Sequence, residues 1–244
     1  MADIEAASRP PDARPALTPP WESRTRVARL RASHSYGFVL VVVLGSVVFA
    51  SVAPDGPVAS TILVLAQAAT LVIALWTSGV AELRSKRVAM LLGFATVAAL
   101  LAAFGSGDVV DGTIATIDAV LVASAIVVIA RGAVDQGDVN LQSLRAAIAV
   151  YLLLGMFFVF VYGAAAAYGP KPFFAQGIDG TTALRFYFSF VTLATLGYGD
   201  YTPAGNGAHL MAVGEAILGQ LYLVIVIALV IGHFRRSTHD PTAK

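Results

Sequence analysis

Two glycines alternate with larger residues in the stretch Thr195-Leu196-Gly197-Tyr198-Gly199, which Asp200 follows. Successive carbonyls of an ordinary strand point to opposite sides, so a strand that aims all of them at one axis needs left-handed dihedrals at alternate residues. Glycine reaches those dihedrals without steric cost. The pattern therefore predicts a row of backbone oxygens that can replace the water around a dehydrated cation.

The longer stretch Thr192-Leu193-Ala194-Thr195-Leu196-Gly197-Tyr198-Gly199-Asp200 closely resembles the selectivity filter of potassium channels. The resemblance implies stacked oxygen rings that bind K⁺ at Thr195, Leu196, Gly197 and Tyr198, with Gly199 completing the filter. It implies that Tyr198 braces this strand against a preceding pore helix and that Asp200 lies at the outer mouth. K⁺ is then the permeant ion, and no cofactor is expected. One strand cannot surround an ion, so the resemblance also implies a homotetramer with three further copies of the chain.

Two departures from the family pattern concern the support of this filter. Leu196 replaces the usual valine, a change that should leave its carbonyl in place. Val191 stands where some members carry a glutamate that pairs with the filter aspartate. Asp200 therefore needs another partner, and Tyr187 is the candidate. Thr192 is also assigned to filter support.

The last apolar stretch carries two further candidates. Gly219 lies 19 residues after Asp200, where the family places a hinge glycine in its inner helix. Gly219 either bends this helix or allows close helix packing. Glu215 is expected to support the filter by hydrogen-bonding the pore-helix region, with a gating or pH role as the alternative. The resemblance covers about residues 146–234.

The composition of the chain indicates the kind of protein that carries these residues. Of its 244 residues, 57% are hydrophobic, 13% are charged and none is cysteine. Soluble domains carry about 25% charged residues, so a water-soluble enzyme, disulfides and thiolate metal sites are excluded. Six stretches are apolar enough to span a membrane: Tyr36–Ala53, Val58–Thr77, Val88–Phe104, Thr113–Ala130, Ala146–Ala167 and Ala208–His233.

Between the fifth and sixth spans, residues 168–207 are too polar for another crossing, but Ala183–Ala194 has a short helical pattern. A short helix followed by glycine-rich chain indicates a re-entrant segment. The predicted fold is an all-α membrane protein with six transmembrane helices, a re-entrant pore helix and a filter. Its predicted parts are a disordered basic tail (1–35), a four-helix sensor-like unit (36–131), a cytoplasmic linker (132–145), a pore domain (146–234) and a second tail (235–244).

The basic residues predict the orientation of the chain. With the N-terminus in the cytoplasm, 14 of the 16 lysines and arginines fall on the cytoplasmic side, and only Lys171 and Arg185 lie outside. Both termini are therefore expected in the cytoplasm of a multi-pass protein of the inner or plasma membrane. The stretch Arg24–Arg31 enforces this orientation or contacts anionic membrane lipids. No nucleic acid is expected as a partner.

The fourth span lacks the arginines of a voltage sensor. Thr113–Ala130 contains no basic residue, and Arg131 follows it. Moving one charge through 100 mV is worth about 2.3 kcal/mol, so steep arginine-based voltage sensing is not predicted. Asp118 is expected either to form structural hydrogen bonds or to act as a sensor or proton site.

The function predicted from these features is passive, potassium-selective conduction. One alternative is a weakly selective cation channel of the same architecture. Another is a secondary transporter, which calls for paired repeats with broken helices, whereas this chain has one such interruption. An enzyme is not expected, because no span carries a clustered nucleophile and base or a set of metal ligands.

Overall fold

The computed structural model describes residues 35–78, 86–134 and 141–237. The predicted basic tail up to residue 34 and residues 238–244 lie outside these ranges. The described residues form seven helices: α1 Ser35–Val52, α2 Pro57–Ser78, α3 Lys86–Phe104, α4 Asp108–Val134, α5 Leu141–Tyr168, α6 Thr182–Leu193 and α7 Gly205–Ser237.

Each of the six apolar stretches forms a helix. Four helices are long and apolar enough to cross a membrane, with candidate spans at Pro57–Thr77, Asp108–Val134, Leu141–Tyr168 and Gly205–Leu229. Tyr36–Val52 in α1 and Ala89–Phe104 in α3 are shorter apolar helices. Six complete crossings therefore stay a prediction.

The fourth helix extends beyond its predicted span at both ends. It begins at Asp108 and carries Asp111 in its first turn, where carboxylates interact favourably with the positive end of the helix dipole. Arg131 lies in its last turn, at the negative end. Within the predicted linker, α4 continues to Val134 and α5 already begins at Leu141.

The first four helices pack against α5 and α6 of the same chain. Helix α4 lies along α5, and α1 contacts both α5 and the short helix α6. One cluster of buried side chains runs through α1 to α5 and includes Val64, Leu121 and Leu153. At Gly155 of α5, an added Cβ would lie 2.7 Å from the ring of Phe190. This glycine therefore lets α6 approach α5 closely.

A second, aromatic cluster fixes the loops on either side of α6. The rings of Phe173, Phe174 and Phe188 pack on one another and on Tyr162 of α5. The loop before α6 also pairs with the loop after the filter, because Ala204 N–H donates to the Phe173 carbonyl at 2.7 Å. The loops that precede α6 and α7 are therefore held together.

The last helix is the least buried. Helix α7 contacts α5 and α6 and leaves most of its apolar side chains exposed. The exposed residues include Leu210, Val213, Ile217, Leu221, Val224 and Leu229.

Candidate selectivity filter

Helix α6, the predicted pore helix, leads directly into residues 195–199, which are named the filter strand after the filter predicted for them. The hydroxyl of Thr181 accepts a hydrogen bond from the Leu184 N–H and caps the start of this helix. At its other end, Thr195 N–H donates to the Thr192 carbonyl at 2.9 Å, and Leu196 N–H donates to the Val191 carbonyl at 2.9 Å. These two bonds turn the chain out of the helix and into the strand.

The filter strand has positive φ angles at every second residue. The φ values are 57° at Thr195, 56° at Gly197 and 76° at Gly199. The sequence predicts a positive φ at the two glycines. It does not predict a positive φ at Thr195, because a side chain makes that conformation unfavourable. The alternation is the backbone pattern that one-sided carbonyls require.

Asp200 makes three contacts at the end of this strand. The Tyr187 hydroxyl donates to its Oδ2 at 2.7 Å, so the predicted contact is present. Its Oδ1 accepts from the Tyr201 N–H at 3.1 Å, and its carbonyl accepts from Nε2 of Gln176 at 2.9 Å. The hydrogen bond to the carboxylate raises the pKa of Tyr187 to about 12.

The side chain of Tyr198 also contacts the pore helix. Its ring is stacked on that of Tyr187, with centroids 6.4 Å apart and planes 11° from parallel. Within one chain the Tyr198 side chain is still 66% exposed, and that of Leu196 is 58% exposed. The filter strand thus has one side against its own pore helix and its remaining surface uncovered.

Behind the pore helix, Glu215 is fully buried and hydrogen-bonded. Oγ of Ser189 lies 2.5 Å from its Oε1, and the Tyr162 hydroxyl donates to its Oε2. The Ser189 hydroxyl also lies 2.8 Å from the Gly155 carbonyl. The expected contact of Glu215 with the pore-helix region is present, and it links α7 to α5 and α6.

Gly219 lies where α7 meets the end of the pore helix. A Cβ at this position would lie 2.6 Å from the Leu193 carbonyl oxygen and 2.8 Å from its Cδ1. The glycine therefore has a packing role. Its role as a hinge stays a prediction.

Asp118 lies in α4, away from the filter. Its side chain is buried, and Oδ1 has no hydrogen-bond partner among the described residues. The structural hydrogen bond expected for this residue is therefore missing at that oxygen.

Three residues that contact the candidate site were not predicted from the sequence: Ser189, Tyr162 and Gln176. Each of them contacts a residue at least 24 positions away in the chain. The one available signal was Ser189, a small polar residue in an otherwise aromatic and apolar stretch of the pore helix.

Comparisons with known proteins show what this segment is similar to. Residues 146–236 match the family model described as ion channel. The chain is 37% identical over 59 residues to the inward rectifier potassium channel Kirbac3.1 of Paramagnetospirillum magnetotacticum. That match covers 24% of this chain and spans 20% of the relative. No solved structure matches the chain.

These comparisons agree with the motif. Residues 146–236 are similar to an ion-channel domain, a class that is not enzymatic. Together with the similarity to Kirbac3.1, this domain supports membership of the potassium channel superfamily, as the filter sequence predicts.

Proposed function

We propose that four copies of this chain form a potassium-selective channel that conducts K⁺ passively through Thr195–Gly199. The observation that carries the proposal is the alternation of positive φ at Thr195, Gly197 and Gly199. Carbonyl oxygens facing one axis can replace the hydration shell of K⁺. The Thr195 hydroxyl adds an oxygen at the inner end of this row.

The uncovered surfaces of the chain support four-fold assembly. One filter strand supplies only one side of an ion-binding ring, and the strand is exposed within a single chain. The apolar side chains of α7 are exposed as well, including Ile217 and Val224. Neighbouring copies around a central axis would cover both surfaces.

Contacts around the filter support the assigned roles of its neighbours. Tyr187 holds Asp200, and the Val191–Thr192 carbonyls hold the turn into the strand. Glu215 joins the pore helix to α7. We assign these residues to filter support, because conduction needs the carbonyls to stay in place while ions pass.

The proposed location is the inner or plasma membrane, with both termini in the cytoplasm. The excess of basic residues on one side supports this orientation. Helices α1 to α4 then form the sensor-like unit, and α5 to α7 form the pore domain.

A flux assay tests conduction. Purified protein in liposomes with K⁺ inside and Na⁺ outside should release K⁺ and polarise the membrane, as a potential-sensitive dye reports. Gly197→Ala should abolish the signal, because alanine opposes the φ of 56° at this position. Gly207→Ala is the matched control, since its added Cβ also meets nothing within 4 Å and its φ is not positive.

The outcomes separate the candidate functions. Equal loss of flux in both variants would contradict the filter assignment. If Na⁺ enters as fast as K⁺ leaves, no membrane potential develops. That result would favour the weakly selective cation channel. In that case Leu196→Val tests whether the leucine is responsible. Native mass measurement of the purified complex should give four chains.

A further inference from the structure

A cavity of about 690 Å³ lies between the first helices and the pore domain. Its walls come from α2, α3, α4 and α5, and its rim comes from the loops that precede α2, α4 and α6. The volume falls within the range of about 300–1,000 Å³ that small-molecule sites occupy. None of the filter residues lines this cavity.

The cavity is strongly acidic. The charged residues that line it are five aspartates against one lysine and one arginine: Asp55, Asp108, Asp111, Asp118, Asp179, Lys171 and Arg185. Like charges around a concave surface add to a negative potential that attracts cations.

Two of these carboxylates are already used by the protein. Oδ1 of Asp55 accepts from the Thr182 N–H at 3.1 Å and thereby holds the start of the pore helix. Oδ1 of Asp179 accepts from the Phe173 N–H at 2.9 Å. Both aspartates therefore already accept hydrogen bonds from backbone N–H groups.

Asp118 differs from these carboxylates. Its side chain is only 2% exposed, and Oδ1 has no hydrogen-bond partner in the part of the chain that the structure describes. It lies ten residues into α4, about 15 Å along the helix from Asp108 at the rim. A buried carboxylate without a partner is costly unless a cation or a proton neutralises it.

Arg185 does not supply that cation. Its Nη1 donates to the Gly180 carbonyl at 2.7 Å, and its Nη2 lies 3.4 Å from the Thr182 hydroxyl. These two nitrogens are thus engaged with their own loop and helix, while Nε is buried without a hydrogen-bond partner among the described residues. Burial lowers the pKa of Arg185, while the carboxylates of Asp55, Asp179 and Asp111 oppose that shift.

The surroundings of Asp118 determine which cation fits. No group of three metal-ligating side chains that could hold a metal ion occurs among the described residues. The cavity walls include the apolar side chains of Ile114, Val159 and Phe160. An organic cation with N–H donors and an apolar group fits these surroundings. Its donors can pair with the Asp118 carboxylate, and its apolar group can pack against the apolar side chains of the cavity.

We propose that this cavity binds a small organic ammonium ion, a primary amine with an apolar body, with Asp118 as its counter-ion. The site would give the first four helices a ligand-binding role that is separate from conduction. The proposal stands on the cavity and on the unpartnered Asp118 carboxylate, and it does not depend on the ion selectivity of the pore.

Binding of 2-phenylethylammonium to the full-length protein in detergent tests the proposal by calorimetry. The wild type should bind this amine, and it should bind the neutral 2-phenylethanol about tenfold more weakly. Asp118→Asn should weaken amine binding about tenfold. Asp108→Asn at the exposed rim is the matched control and should change the affinity by less than about threefold. All variants are compared in the same detergent, so that partition into micelles cancels.

A second variant blocks the site and keeps its charge. Ala115 lies one turn from Asp118 on α4 and lines the cavity. Ala115→Phe should reduce amine binding by filling the path to the carboxylate, even if Asp118→Asn impairs folding. Equal binding of the amine and the alcohol, or unchanged amine binding in both cavity variants, would overturn the proposal.

Discussion

The Tyr187 hydroxyl donates a 2.7 Å hydrogen bond to Oδ2 of Asp200, and the Tyr187 ring stacks on that of Tyr198. A single pore-helix side chain therefore contacts two of the last three residues of the filter motif. Tyr187 thus supplies the hydrogen-bond donor for Asp200 that the apolar side chain of Val191 cannot supply.

Tyr187→Phe tests this support. The phenylalanine keeps the stacked ring and removes the hydroxyl that donates to the Asp200 carboxylate. We expect channels that open normally and then lose conductance faster in low K⁺, as single-channel recordings can measure. Tyr201→Phe is the control, because its ring contacts Tyr187 edge-on. Identical behaviour of the two variants would argue against a supporting role for Tyr187.

The same bond predicts a specific pH dependence. Because the pKa of Tyr187 is raised from 10 to about 12, the folded protein holds this proton more tightly than the unfolded chain does. The stability that the bond contributes is fully present below pH 10 and is lost as the pH rises towards 12. The difference in melting temperature between the wild type and Tyr187→Phe should therefore stay constant below pH 10 and shrink above it. A difference that changes near neutral pH would point to another titrating group.

Gly219→Ala should destabilise the protein. Its Cβ would lie 2.6 Å from the Leu193 carbonyl, a backbone atom that cannot move aside without disturbing the filter. Overpacking of this kind costs about 1–3 kcal/mol. Gly214→Ala on the same helix is the control, because its Cβ would meet nothing within 4 Å and alanine raises helix propensity by about 1 kcal/mol. Thermal unfolding in detergent should give opposite shifts for the two variants, and equal shifts would contradict the packing role.

Ser189→Ala should also lower the stability of the folded protein. It removes the pore-helix hydroxyl 2.5 Å from Oε1 of Glu215 and leaves a buried carboxylate oxygen without that partner. Such a loss costs about 1–3 kcal/mol. Ser124→Ala is the control, since the Ser124 hydroxyl only donates to the Val120 carbonyl within its own helix. A melting temperature for Ser189→Ala as high as that of the control would show that the Glu215 contact contributes little.

Voltage should have a weak effect on conduction. Helix α4 has no basic residue before Arg131, so no arginine can move through the membrane field along this helix. Each charge that crosses 100 mV supplies about 2.3 kcal/mol, and a helix without such charges gains none of it. We expect open probability to vary little over roughly 100 mV on either side of zero. Steep activation on depolarisation would contradict this reading, and Asp118 would then be the first residue to replace.

The sequence was most informative where a local pattern decides the structure. The six apolar stretches form helices because length and apolar composition suffice for that, and the two filter glycines carry the positive φ that their position predicts. The Tyr187–Asp200 contact could also be predicted, because both residues belong to one short segment of the chain.

The remaining features depend on tertiary packing. Ser189 and Tyr162 contact Glu215 from two different helices, and no local pattern brings these three residues together. The cavity around Asp118 arises where loops and helices from both halves of the chain meet. The positive φ of Thr195 also follows from its place between the pore helix and the strand, since threonine itself disfavours that conformation.

The ion selectivity of the proposed pore is measured by its reversal potential in a planar bilayer with K⁺ on one side and Na⁺ on the other. If the carbonyls of Thr195–Tyr198 form the ion-binding rings, the current through the purified protein should reverse close to the K⁺ equilibrium potential. A reversal near zero would contradict potassium selectivity and leave a channel that passes both cations.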